Sequence, residues 1–377
     1  MNATTLRPTV THTIPAEGHS RRVRSLRWEI LRTAGEVITE GTFHYGPQTE
    51  RLEELMRDRW GGHAVATTSC TQALMLALTA AGIGSGDEVV VPAATFTATA
   101  FAVSAAGAMP VIADVHEPTL ALDPASFEKA ITGRTRAVIP VHLHGHMADM
   151  PAITTIAKAH NLIVIEDCAQ AAGASLRGRA AGTWGDYGCF SFWVGKTIGG
   201  LEDAGAVITT TPERAELLRR LTNMGRDTTD RHLHHVRGTR ARLGEFNAGI
   251  VAVELNLLPT WLKRRRQIAD HYNRAFAHLP LTTPVTLPEH VHALYKYAIT
   301  CPDADILGTH LTDNGIQAEQ VYPYLLPDQP AFSGIELRSH VTAQSQPAAQ
   351  RLCLPAYPEL SDDEVDQVIH SVTTFYN

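Results

Sequence analysis

For its first two-thirds the chain alternates short apolar runs with amphipathic stretches. Residues 50–62 and 71–81 carry apolar side chains at helical spacing and predict helices. Glu88–Val91 is a short apolar run closed by Pro92, which predicts a strand. Further strands are predicted at Pro110–Asp114, Ala137–Leu143, Leu162–Asp167, 187–193 and 204–210. Residues 124–132 and 149–160 read as helices between them. Strands alternating with helices imply βαβ units and a mainly parallel sheet. After residue 244 the pattern changes. Residues 245–278 predict one long helix or a broken pair, rich first in leucine and then in arginine. A strand at Tyr295–Thr300, a helix at 303–314, a proline-rich loop at 322–330 and a closing helix at 361–375 follow. Ser361 and Glu364 make a capping-box signature at the start of the last helix.

At 377 residues the chain exceeds the length that one core usually serves. The expected organisation is a large α/β domain over 1–254 and a smaller C-terminal α+β domain over 255–377. The formal net charge of −7 argues against a nucleic-acid or anionic-membrane partner. No apolar stretch is long enough to span a bilayer. Met1–Ser20 is polar and lacks an apolar signal core, so a cytoplasmic protein is expected. The five cysteines are scattered without zinc-type spacing and read as reduced thiols. His142, His144 and His146 alternate at a strand end, but no H-E-x-x-H motif accompanies them and no metal is expected.

The basic residues narrow the chemistry. Only five lysines occur, and one of them, Lys196, sits among glycines in Val-Gly-Lys-Thr-Ile-Gly-Gly. Arginine holds charge equally well but does not readily give up a proton to form an imine. Lys196 is therefore a candidate nucleophile. Upstream, Thr67–Thr71 leads into a helix, where free N–H groups either bind phosphate or are simply capped by the hydroxyls. Phe96 follows a strand exit and either stacks on a flat ligand or fills core. Asp167 ends the run Leu-Ile-Val-Ile-Glu-Asp, on the side of an open sheet where ligands sit. A carboxylate there either pairs with a protonated pyridine nitrogen or caps the next helix. Ser191, five residues before Lys196, could face the same pocket.

The order of these features resembles the DegT/DnrJ/EryC1/StrS aminotransferases, a sugar-aminotransferase branch of the fold-type I enzymes that use pyridoxal phosphate (PLP). The resemblance runs from about Gly41 to the C-terminus. It is carried by Gly46-Pro47, Thr71-Gln72-Ala73-Leu74, Gly86-Asp87-Glu88-Val89-Val90-Val91-Pro92 and Val141-His142-Leu143-His144-Gly145. Glu166-Asp167-Cys168-Ala169-Gln170-Ala171, Gly182-Thr183-Trp184-Gly185-Asp186, Ser191-Phe192 with Lys196, and Gln329-Pro330-Ala331-Phe332 continue it. The resemblance implies that Lys196 holds PLP covalently and that Asp167 pairs with the ring nitrogen. It implies that Gln170 contacts the ring hydroxyl, Phe96 stacks on the ring, and Cys70, Thr71 and Ser191 hold the phosphate. It further implies a homodimer with shared sites, a donor such as L-glutamate or L-glutamine, and a ketosugar acceptor, nucleotide-linked by preference. A cyclitol ketone is the alternative acceptor.

Three positions depart from the family pattern. Cys70 stands where glycine is usual. Glu202-Asp203-Ala204-Gly205 replaces a Gly-Asp/Glu-Gly-Gly run. Gly238-Thr239-Arg240-Ala241-Arg242 replaces G-x-N-x-R, whose Asn reaches the partner subunit's phosphate in relatives. Arg240 could do the same with a full charge. With Arg226, Arg231, Arg237 and Arg242 it forms a basic stretch suited to a diphosphate or to solvent. Two other classes compete. A sugar dehydratase of this fold commonly has His in place of the lysine, and a non-catalytic regulator would not need the Asp167, Gln170 and Lys196 set.

Overall fold

A computed structural model describes residues 13–227, 229–333, 338–339, 341 and 350–377 of the chain. The apolar runs assemble into one eight-stranded sheet. Its order is His63–Thr67, Gly205–Thr209, Tyr187–Ser191, Ile163–Asp167, Thr135–Val138, Glu88–Pro92, Met109–Ala113 and Arg338–Ser339. The six strands from Tyr187–Ser191 onward pair in parallel, while Gly205–Thr209 runs antiparallel to both neighbours. Both faces are covered, which explains runs with no polar alternation. Val90 and Val164 enter one core, whereas Val89, Val91 and Ile165 enter the other.

The strand expected at Ala137–Leu143 ends at Val138 instead. Pro140 has no N–H for the ladder, and the chain turns at Leu143–Gly145 with His144 at φ 58°. The stretch expected as one helix or two is a single helix, Glu245–Phe276, with Pro259 inside it. Its first half (Val251, Leu255, Leu258) packs under the sheet, and its second half (Ile268, Tyr272, Phe276) enters a separate core. That second core gathers the antiparallel pair Tyr297–Thr300 and Arg351–Leu354 with helices Ala304–Asp313 and Asp362–Tyr376. The capping box forms: Glu364 N–H donates to Ser361 Oγ at 3.2 Å and Ser361 N–H to Glu364 Oε2 at 3.0 Å.

Several elements lie outside the sequence pattern. Helices His19–Ser25 and Arg27–Glu40 precede the sheet, and Ala98–Ala105 follows Phe96. Ile14 joins the C-terminal core by backbone pairing, its N–H on Gly315 O at 2.8 Å and its carbonyl accepting from Gln317 N at 2.9 Å. The polar start of the chain up to residue 12 lies outside the described residues. Among those described, no helix is long and apolar enough to cross a membrane.

Candidate active site

The parallel strands deliver their carboxyl ends to one cavity of about 390 Å³. Asp167 ends the central strand and is buried. Its Oδ2 accepts from Thr99 Oγ1 at 2.8 Å and its Oδ1 from the N–H of Ala169 at 3.1 Å. Burial still pushes its carboxyl pKa up, against those hydrogen bonds and the charge of Lys196. Such an anion is costly without a cation to face it.

Lys196 enters the same cavity from the loop after Tyr187–Ser191. Its ammonium lies 4.8 Å from the Tyr295 ring centroid. Burial pulls its pKa down, and the charge of Lys296 adds to that. An amine so placed gives up its proton more readily than a solvated lysine, as a nucleophile and proton carrier must.

Helix Cys70–Ala80 points its N-terminus into the cavity. Ser69 caps it by accepting from Gln72 N at 3.1 Å, which leaves the N–H groups of Cys70 and Thr71 at the open end. The departure from glycine at Cys70 is accommodated because Sγ turns inward, 3.9 Å from Asp167 Oδ1 and 3.5 Å from Cys189 O. The backbone is tightly approached at Gly205, where a Cβ would lie 2.6 Å from Cys70 N. Ala204 in turn is buried in the core beneath the sheet.

Phe96 lines the cavity at 55% exposure, 5.5 Å from the Tyr322 ring. A large exposed ring beside a buried acid and a half-buried amine offers a stacking face to a flat ligand. Gln170 accepts from His144 N at 2.6 Å and donates to Tyr322 OH at 3.0 Å. Ser191 and Thr71 also line the wall. The fold thus brings together seven of the eight residues expected at the site. Arg240 is the exception. It is exposed and does not line this cavity, and neither do the other arginines of that stretch. His142 pairs with Glu166 at 3.0 Å, and His146 stacks on His290 at 4.3 Å. Glu166 is further occupied by the N–H groups of Gly182, Trp184 and Gly185.

Other residues of the wall carried no local signal. Lys296 donates to Glu17 Oε1 at 2.6 Å and to Glu319 Oε2 at 2.9 Å, beside Tyr295. These partners are separated by up to 279 positions in sequence, so only folding joins them.

The donor set fits PLP: an acid for the ring nitrogen, an amine, an open aromatic face and a helix start for phosphate. The sequence matches the DegT/DnrJ/EryC1/StrS aminotransferase family over residues 25–373. The chain belongs to that family. It is 41% identical over 348 residues to the erythromycin biosynthesis sensory transduction protein EryC1 of Saccharopolyspora erythraea, covering 91% of this chain and 94% of that one. It is 39% identical over 350 residues to a dTDP-3-amino-3,4,6-trideoxy-alpha-D-glucose transaminase of Streptomyces venezuelae, covering 92% of each. Its fold superposes on S. venezuelae DesV in complex with a ketimine intermediate at a TM-score of 0.93 and 38% identity, over 97% of this chain and 99% of that one. Solved relatives include forms with PLP and its amino form, PMP. The protein is an aminotransferase, and pyridoxal phosphate is its cofactor.

Proposed function

We propose that the enzyme transfers an amino group from L-glutamate or L-glutamine to a nucleotide-linked ketosugar, in amino-sugar or natural-product biosynthesis. The observation that carries the reading is the meeting of Lys196, Asp167 and the open Phe96 ring in one cavity. Similarity to a dTDP-sugar transaminase supports the acceptor class. In this reading Lys196 bears the cofactor and Asp167 faces its ring nitrogen. Gln170 meets the ring hydroxyl, Phe96 the ring face, and Cys70, Thr71 and Ser191 the phosphate. When bound, PLP supplies an electron sink for the carbon that loses or gains nitrogen. Lys196, once free, takes the proton from the donor's α-carbon and returns one to the acceptor carbon. Glu17, Lys296 and Glu319 offer donors and acceptors to the hydroxyls of the acceptor.

The large domain over 1–254, the small domain over 255–377, a cytoplasmic location and a homodimer belong to the same reading. An apolar face supports the dimer: Trp28, Leu31 and Ile38 lie on one side of helix Arg27–Glu40 at 65, 59 and 74% exposure. Arg240 would then serve the partner's cofactor phosphate.

The test has two arms. Borohydride should fix the cofactor's mass on Lys196. Nitrogen-15 from labelled glutamate or glutamine should then appear in a keto-sugar nucleotide. Label delivered only to cyclitol ketones would overturn the acceptor class while leaving the aminotransferase intact.

A further inference from the structure

We propose that Arg22, from the short helix His19–Ser25, is the positioning residue of Lys196, fixing the loop backbone from which that lysine reaches the cavity. The proposal rests on the reading of Lys196 given above. The segment 194–200 holds three glycines and lies outside every helix and strand. Its carbonyls therefore need partners from elsewhere. Arg22 supplies them. It is 5% exposed; Nη1 donates to Lys196 O at 2.8 Å and to Thr197 O at 3.4 Å, and Nη2 donates to Val194 O. Its Nε lies 3.1 Å from Glu254 Oε1, and Glu254 Oε2 accepts from Gly199 N at 2.7 Å. One buried Arg–Glu pair thus holds both ends of the loop, the guanidinium on its carbonyls and the carboxyl oxygen on its N–H. The Trp261 ring packs 5.5 Å from the guanidinium.

The geometry requires arginine. Its planar fork reaches several acceptors at once, whereas an ammonium is a single point charge on a flexible stem. The helix that carries Arg22 is itself tied down. Arg21 makes two 2.7 Å bonds to Glu364, and Glu17 binds Lys296 in the cavity wall. At Gly18 a Cβ would lie 2.3 Å from the Tyr357 ring, so the segment lies directly on the C-terminal core. Residues 14–22 therefore run as a strap from that core to the lysine loop. Neither end of Arg22's network lies near it in sequence: Lys196 is 174 positions away.

Lys196 has to leave its resting place and return to it within each catalytic cycle, so its backbone must stay fixed. Displacement of a reacting group by about 1 Å costs about 100-fold in rate. Arg22→Ala should lower kcat by about 100-fold and leave the acceptor KM within about twofold. Added guanidinium should restore part of the loss, and Arg22→Lys should recover little. Two readouts separate positioning from simple stability. In the PLP-loaded protein, the pH midpoint of the visible absorption band should move. In the protein without substrate, backbone amides of 194–200 should lose protection from hydrogen exchange while those of the central sheet keep theirs. A variant with a lower Tm but an unchanged band, unchanged loop exchange and unchanged kcat would overturn the proposal. Should Arg22→Ala fail to fold, Glu254→Gln is the second variant. It is expected to shift the band and loosen the loop, and wild-type values for both would refute the anchor. If the wild-type protein takes up no PLP, the functional reading fails, yet the exchange experiment on 194–200 still decides the anchor.

Discussion

Asp167 and Lys196 each sit in an environment that opposes their charge, and in the proposed reading the ring nitrogen of the bound cofactor would remove the conflict for the acid. Burial raises the Asp167 pKa above 3.8, so the fold favours the protonated carboxyl. The stability this contributes is full below 3.8 and is lost as pH rises through the folded value. Once pH exceeds that folded value, the ionised side chain therefore burdens the cofactor-free protein. Asp167→Asn should raise the Tm of that form, shrink the Tm gain on adding PLP, and cut kcat by about 100-fold. Calorimetry with and without PLP checks it; an equal gain in both proteins would show that the carboxylate does not face the ring. Phe96→Ala should weaken PLP by about fivefold, the loss of about 1 kcal/mol of stacking, read by fluorescence titration. Lys296→Met should raise the acceptor KM by about tenfold with PLP affinity unchanged, a pattern expected from one lost charged hydrogen bond. At this scale the sequence revealed the groups that punctuate elements. Asp167 ends an apolar run and Lys196 interrupts a glycine loop. Glu17, Arg22, Glu254, Lys296 and Glu319 gave no sign, because each is defined by a partner distant in sequence.

The elements were legible where burial leaves a periodic or continuous mark. Strands at Glu88–Pro92, Ile163–Asp167 and Gly205–Thr209 fall within a residue or two of the apolar runs. Helix Ala98–Ala105 stayed hidden because Ala-Thr-Ala-Phe-Ala-Val-Ser-Ala is nearly apolar on every side and shows no period. Strand His63–Thr67 stayed hidden because His-Ala-Val-Ala-Thr holds a single large apolar side chain. The long helix Glu245–Phe276 was visible, but not its service to two cores or the acid it places under the lysine loop. That acid, Glu254, has its pKa raised from 4.5 to about 7, mainly by burial, with Glu359 adding to it and Arg22 and Gly199 N–H opposing it. A raised carboxyl favours the protonated fold, so this contribution is full below 4.5 and fades as pH rises through about 7. The Tm of the wild type should therefore fall relative to that of Glu254→Gln between pH 5 and pH 8. Parallel melting curves across that window would contradict the burial argument.

At the scale of the molecule, the single chain leaves Arg240 away from the cavity and an apolar face open to solvent. In the proposed reading its cavity would offer a helix start and hydroxyls to the phosphate, while Arg240 lies exposed outside that cavity. Trp28, Leu31, Ile38 and Phe43 likewise stand in solvent on one subunit. A two-fold dimer answers both facts if the same association covers the apolar face and carries Arg240 to the neighbour's site. Light scattering should then give a dimer, and Arg240→Ala should weaken PLP by about 10- to 100-fold, the loss of one charged hydrogen bond. The arrangement has a sharper consequence. Chains carrying Lys196→Ala have no nucleophile but an intact Arg240, and chains carrying Arg240→Ala have the reverse. In a mixed dimer the Arg240→Ala chain supplies Lys196 and receives Arg240 from its partner, so one of two sites is whole. Equal mixing with exchange makes half the dimers mixed and restores about a quarter of the wild-type sites. Assayed at PLP too low to saturate Arg240→Ala alone, the mixture should exceed the mean of its two parents. Activity equal to that mean would place Arg240 outside the neighbour's site and leave the apolar face to another role.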